Sequence, residues 1–177
     1  MPESKRLIID MDDVMADTSQ SILNLYNSEF NTSYHKEQFW GNNLWDDGLK
    51  ENYLTVRHKL YEPGFFRNVT VMPDAIEVVK RLHEQHEVFI VSAATEFPNS
   101  LKEKHEWLEE HFPFIHWKNL VLCGDKSIVK GDVMIDDHEK NLKVFEGQTL
   151  LFDAIHNQSL EGYQRVKSWK EIARELL

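Results

Sequence analysis

Apolar residues in this chain gather into short runs that end in polar turns, and stretches of helical spacing separate the runs. Leu7-Ile8-Ile9 lies in the first run, which predicts a strand over residues 6–11. Residues 88–92, 120–122, 133–135 and 149–152 predict four more. These runs are apolar throughout rather than alternating, as strands covered on both faces are. Between them, Pro73-Asp74 opens a helix with Ile76, Val79 and Leu82 as an apolar stripe. Residues 99–112 read as a helix with Leu101, Leu108 and Phe112 near one face. The last helix starts at Ser168, with Glu171 placed to complete a capping box. Strands alternating with helices give an α/β class with a parallel sheet flanked by helices. Right-handed crossovers then bring every strand's carboxyl end to one edge, outside which ligands bind.

Residues 18–72 break this alternation. Ile22, Leu23, Leu25, Tyr26 and Phe30 have helical spacing, and Gly41-Asn42-Asn43, Asp46-Asp47-Gly48 and Pro63-Gly64 interrupt it. Half of the chain's Phe, Tyr and Trp residues fall in this segment. It reads as a small helical subdomain (18–72) inserted after the first strand into a core made of 1–17 and 73–177. Most of its aromatics serve its own packing, and a few are available to stack on a flat ring.

Length and charge narrow the function. A chain of 177 residues suits one domain with an insertion. A formal net charge of −10 disfavours a nucleic-acid polymer or an anionic membrane as partner, since both need a basic face. The single cysteine, Cys123, gives no disulfide framework and reads as a small buried residue. The first six residues lack the apolar core of a signal peptide, and no run has the length of a transmembrane helix, so a cytoplasmic protein is the expectation. Oligomeric state is left open, with a homodimer among the options.

The groups able to do chemistry follow the strand ends: Asp10 and Asp12 the first, Ser92 the second, Lys126 the third, Asp136 and Asp137 the fourth. Each has an ordinary explanation as a turn or capping residue. Their shared placement does not, because a parallel sheet brings them to one rim. Residues two apart on a strand share a side, so Asp10 and Asp12 should project together. Carboxylates so close call for a cation or for divergent pKa values. Such a set suits phosphoryl transfer: carboxylates for Mg²⁺, one acid as nucleophile, one as acid/base, and a lysine and a hydroxyl for phosphoryl oxygens.

Asp10-Met11-Asp12-Asp13-Val14, Ser92, Lys126 and Asp136-Asp137 resemble, in order, the four motifs of haloacid dehalogenase (HAD) superfamily phosphatases. The longer strings around them, with Ala16-Asp17, Val88-Phe89-Ile90 and Ser168-Trp169, resemble the 5′(3′)-deoxyribonucleotidase branch. The resemblance implies a HAD-like, Rossmann-type core with a helical cap. It also implies a Mg²⁺-dependent phosphatase of (deoxy)ribonucleoside 5′- or 3′-monophosphates working through an aspartyl-phosphate. Asp10 would be nucleophile and metal ligand, and Asp12 acid/base with its backbone carbonyl on the metal. Asp137 would complete the metal contacts with Asp136 in support, Ser92 and Lys126 would hold the phosphate, and Phe39 and Trp40 would contact the base. Thr18 stands where an aromatic is expected in the mitochondrial member, and Asp13 where glycine is frequent.

Other readings are a phosphatase for another phosphometabolite, such as a sugar phosphate, and a non-catalytic Mg²⁺- or nucleotide-binding module. Among the nine histidines, His83 and His86 have ligand-like spacing. They close a predicted helix and read as a solvated helix end, with no H-E-x-x-H motif or cysteine pair beside them.

Overall fold

In a computed structural model, which describes residues 3–39 and 50–177, the chain forms one six-stranded sheet. The strands are β1 (Arg6–Ile9), β2 (Glu87–Ala93), β3 (Leu120–Cys123), β4 (Val133–Asp136), β5 (Gln148–Phe152) and β6 (Gln164–Val166). Their order is β3-β2-β1-β4-β5-β6, and every pairing is parallel. The chain steps outward from β1 to one edge through β2 and β3, then crosses to β4 on the other side. The switch point therefore lies beside β1, between the carboxyl ends of β1 and β4.

Strand residues fill both faces, as the unbroken apolar runs require. Leu7, Ile9, Ile90, Ile135 and Leu150 face α3 (Ala75–Gln85), α4 (Pro98–His111) and α6 (Trp169–Leu176). Ile8, Val91, Met134 and Leu151 face Leu142 of α5 (Glu139–Leu142) and Phe145, Leu160 and Tyr163. Ile9, Ile90 and Ile135 are wholly buried, and each such side chain contributes roughly 1.5–3 kcal/mol.

The helices bury Val79, Leu82, Leu108 and Phe112 as expected, but not the first member of either stripe. Ile76 and Leu101 are exposed. The buried faces are Ala75, Val78, Val79 and Leu82 on α3, and Ser100, Glu103, Lys104, Trp107 and Leu108 on α4. A run spaced only by three drifts about 60° per step around a helix of 3.6 residues per turn, so Ile76 and Leu82 cannot share a face. His86 is no solvated helix end either. It is buried, accepts from the Lys5 amide through Nδ1 at 3.3 Å, and meets the Leu176 carbonyl through Nε2 at 3.0 Å. Cys123 lies half-buried on the edge strand β3 rather than within the core.

Residues 18–72 include α1 (Thr18–Phe30) and α2 (Lys50–Lys59). Asp17 caps α1 by accepting from the Gln20 amide at 3.2 Å, and Asn31 ends it in the left-handed conformation. Leu23, Tyr26 and Val56 make a separate apolar cluster with Ile155, joined by Phe30 and Phe39. The segment returns to the main core through Phe65, Val69 and Val71. Glu103 fixes the return by accepting from the Gly64 and Arg67 amides at 2.5 and 3.2 Å. Among the described residues no helix is long and apolar enough to cross a membrane.

Candidate active site

β1 stops at Ile9, one residue before the first acid. The Met11 carbonyl accepts from the Met15 and Ala16 amides, both at 2.9 Å, which closes a tight turn. Asp10 and Asp12 are thus placed by a turn rather than by strand alternation. Asp13 within this turn has φ +54°, a conformation that explains why glycine suits the position. Its carboxylate accepts from the Ser19 amide at 2.7 Å and from the Ser19 hydroxyl. Burial, with Asp137 nearby, pushes Asp13 up to about 6.

Asp10 is 5% exposed and uses one oxygen for its contacts. Oδ1 accepts from the Met11 amide at 2.7 Å and from Lys126 Nζ at 2.6 Å. Lys126, also buried, reaches Asp136 Oδ2 at 2.7 Å. Asp136 is further bonded by the His138 amide at 2.8 Å and by Asn141 Nδ2 at 3.0 Å to each oxygen. Burial raises the Asp10 pKa well above the usual range; Lys126 opposes this, while Asp136 and Asp137 add to it. Against its own desolvation, Lys126 is raised by Asp10 and Asp136.

Asp137 differs from its neighbour. Its Oδ2 lies 3.1 Å from His156 Nε2, whereas Oδ1 is buried with no hydrogen-bond partner. Burial would raise its pKa, but His156, His138 and Lys126 together hold it at about 2. Oxygens of Asp10, Asp136 and Asp137 all lie within 4.8 Å of one another. A buried anion with an unused oxygen in an all-oxygen cluster fits a hard divalent cation.

Asp12 belongs to a second network. Oδ1 accepts from the Thr18 hydroxyl at 2.9 Å, and Oδ2 from Ser92 Oγ at 3.2 Å and from Lys104. Burial acts upward on Asp12, yet Lys104 and Thr18 bring it below the usual carboxylate range. Ser92 is wholly buried beneath this contact, and Lys104 donates to its hydroxyl at 3.0 Å. Sequence reasoning missed Lys104, although a signal was present: it lies three and four residues before Trp107 and Leu108, on their helix face.

Asp10, Asp12, Thr18, Lys104 and Lys126 line one cavity of about 210 Å³, walled by Leu60, Phe65, Phe66 and Phe97. Of the groups expected at the sheet rim, Asp10, Asp12, Lys126, Asp136 and Asp137 come together, and Ser92 lies behind them. Phe39 is not among the lining residues; it makes an edge contact with Tyr34 at 5.6 Å within the α1 cluster. Trp40 lies outside the described residues.

Comparison with known proteins agrees with this arrangement. The family model described as 5′ nucleotidase, deoxy (pyrimidine), cytosolic type C protein matches residues 4–177. Proteins of Bacillus subtilis (strain 168) and Bacillus phage SPbeta named 5′(3′)-deoxyribonucleotidase are each 42% identical over 175 residues, covering 98% of this chain and 99% of theirs. Among solved structures, a haloacid dehalogenase-like family hydrolase from Streptococcus pneumoniae superposes with a TM-score of 0.58 at 12% identity, covering 99% of this chain and 100% of its own. A HAD-hydrolase from Bacillus subtilis bound to magnesium gives 0.60 at 13% identity, covering 98% of this chain and 99% of its own. At such identities the superpositions speak for the fold alone, which is HAD-like.

Proposed function

This chain belongs to the 5′ nucleotidase, deoxy (pyrimidine), cytosolic type C family, and on that premise we propose that it is a Mg²⁺-dependent phosphatase of (deoxy)ribonucleoside 5′- or 3′-monophosphates working through an aspartyl-phosphate on Asp10. Hydrolysis of phosphomonoesters is the activity its relatives are named for. The observation that carries the reading is the buried Asp10–Lys126–Asp136 chain beside the unpartnered Asp137 oxygen, with Asp10 and Lys126 lining the cavity.

Asp10 and Asp137 would hold Mg²⁺ together with the Asp12 backbone carbonyl. Both oxygens of Asp136 are engaged by Lys126, Asn141 and the His138 amide, which suits a role in fixing Lys126 instead. When bound, the ion supplies positive charge that offsets repulsion between the carboxylate and the phosphate.

Lys126 fixes Oδ1 of Asp10, and Oδ2 attacks phosphorus. The new bond joins Asp10 to phosphorus while the ester P–O bond breaks. Asp12, once protonated, gives its proton to the leaving alkoxide and later takes one from the water that hydrolyses the aspartyl-phosphate. Lys104 links binding to this proton transfer. In the resting site it keeps Asp12 ionised, and as it turns toward an incoming phosphate dianion the Asp12 pKa rises and the acid form becomes available. Ser92 acts through both groups by holding their orientation. Residues 18–72 form a cap whose Ile22, Leu60, Phe65 and Phe66 meet the nucleoside.

Phosphate release across deoxyribo- and ribonucleoside 5′- and 3′-monophosphates and sugar phosphates, with Mg²⁺ or with a chelator, tests the reading. Release from nucleotides should lead the panel and vanish with the chelator. Equal or faster release from sugar phosphates overturns the nucleotide assignment.

A further inference from the structure

We propose that Asp137, His138 and His156 form a second cation site, suited to a zinc-type divalent ion rather than to Mg²⁺. Asp137 Oδ2 lies 3.1 Å from His156 Nε2 and 3.6 Å from His138 Nε2, and the three ligand atoms all fall within 4.8 Å of one another. The two imidazoles stack at 4.3 Å with an interplanar angle of 21°, and Nε2 of each lies near the same carboxylate oxygen. In a tetrahedral zinc site with bonds near 2.0–2.1 Å, neighbouring ligand atoms stand about 3.3–3.4 Å apart. The two observed separations bracket that spacing. A hydrogen bond accounts for His156 alone; at 3.6 Å, His138 makes none.

The ligand set decides the ion. Two imidazoles and one carboxylate favour Zn²⁺ and its neighbours, whereas Mg²⁺ prefers oxygen donors. The frame is rigid on one side. His156 sits on a 3₁₀ turn, Ile155–Asn157, whose Asn157 is wholly buried and donates to the Asp137 and Phe152 carbonyls, both at 2.8 Å. The His138 side chain is 49% exposed, which leaves a path of entry and room for water as fourth ligand.

Asp137 belongs to both clusters, with Oδ2 beside the imidazoles and Oδ1 without a hydrogen-bond partner. A zinc-type ion drawing on this carboxylate weakens the hold on Mg²⁺, and the reverse. The zinc-type site itself does not depend on the phosphatase reading; the antagonism does.

Titration of metal-stripped protein with Zn²⁺ against a chromophoric chelator tests the site, together with the visible spectrum of Co²⁺-loaded protein. His138→Gln and His156→Gln should each weaken Zn²⁺ binding at least about tenfold and abolish the intense tetrahedral Co²⁺ bands. Asp10→Asn should leave both signals at their wild-type values, since it alters only the oxygen cluster. The proposal is overturned if His138→Gln binds Zn²⁺ as wild type does, or if Asp10→Asn loses more affinity than the histidine variants. His138 is half-exposed, so that variant decides the matter even should His156→Gln fail to fold. Phosphate release with Mg²⁺ does not enter this titration, so failure of the site and failure of the phosphatase reading remain separate results.

Discussion

The Lys104 ammonium pairs with the Asp12 carboxylate across 92 residues of sequence, and its second partner is the Ser92 hydroxyl at 3.0 Å. Lys104 is 2% exposed, and its ammonium lies 5.0 Å from the centre of the Phe66 ring. A buried ammonium is costly unless well paired, and replacing such a pair by apolar packing is often neutral for stability. The pair is therefore better explained by chemistry at the cavity floor than by folding.

Lys104→Met is accordingly expected to lower kcat/KM about 10²-fold, the usual loss when one charged donor leaves a transition state. Melting temperature should fall, because this variant removes one partner and leaves Asp12 and Ser92 without their cation. Without the cation, buried Asp12 holds its proton more tightly, so the limb of the pH–rate profile that Asp12 governs should move to higher pH, the opposite of the present downward shift. Lys104→Arg should restore part of the rate and return the limb toward its original position. An unchanged profile in Lys104→Met would assign the residue to packing alone.

Much of this site is legible in the sequence because its parts sit at the ends of strands that announce themselves. Leu7-Ile8-Ile9 and Val133-Met134-Ile135 are apolar on both faces, so Asp10 and Asp136 could be placed before any coordinates. β6 could not. It has three residues, Gln164, Arg165 and Val166, lies at the sheet edge, and buries only the last fully. Lys104 is hidden for another reason: it stands among Lys102, Glu106 and Glu109 in a helix that reads as a solvated charged surface. Only Trp107 and Leu108 reveal which face is buried. The division of labour between Asp136 and Asp137 depends on which oxygens are already bonded, and spacing carries no such information.

Asp10→Asn removes the proposed nucleophile while keeping its shape. Phosphate release should fall by at least about 10³-fold, the scale seen when a covalent nucleophile is deleted. The fold should survive, because Lys126 retains Asp136 at 2.7 Å and one buried negative charge leaves a crowded cluster. Steady-state turnover and circular dichroism melting check the two parts. Turnover near the wild-type rate would rule out attack by Asp10.

Mg²⁺ should stabilise the protein by binding only the folded arrangement of Asp10 and Asp137. At a concentration 100 times Kd the gain is about 2.7 kcal/mol. For a domain of this size that corresponds to roughly 5–10 °C in Tm. A chelator should reverse it. Asp137→Asn should remove most of the shift, since the oxygen now without a partner is the one withdrawn. Asp136→Asn should keep more of it while loosening Lys126. Equal Mg²⁺ shifts in wild type and Asp137→Asn would contradict the assignment of Asp137 as ligand.

The carboxyl-terminal helix is tied to the catalytic turn by Trp169. Trp169 is 1% exposed, and its indole N–H donates to the Val14 carbonyl at 2.8 Å, inside the turn that carries Asp12. Trp169→Phe keeps an aromatic ring but leaves that buried carbonyl without its donor, at a cost of about 1–3 kcal/mol. Tm should fall by about 2–4 °C for each kcal/mol lost. Amide exchange should quicken in residues 11–16, where the released carbonyl frees the turn to open. Phe152→Leu gives the contrasting case. It removes a ring lying 6.2 Å from Trp169 and lowers stability through packing, while the Val14 bond stays intact. Exchange at 11–16 should then keep its wild-type protection relative to global unfolding. If both variants loosen the turn alike, the tie from Trp169 to Val14 has no local effect on the catalytic loop.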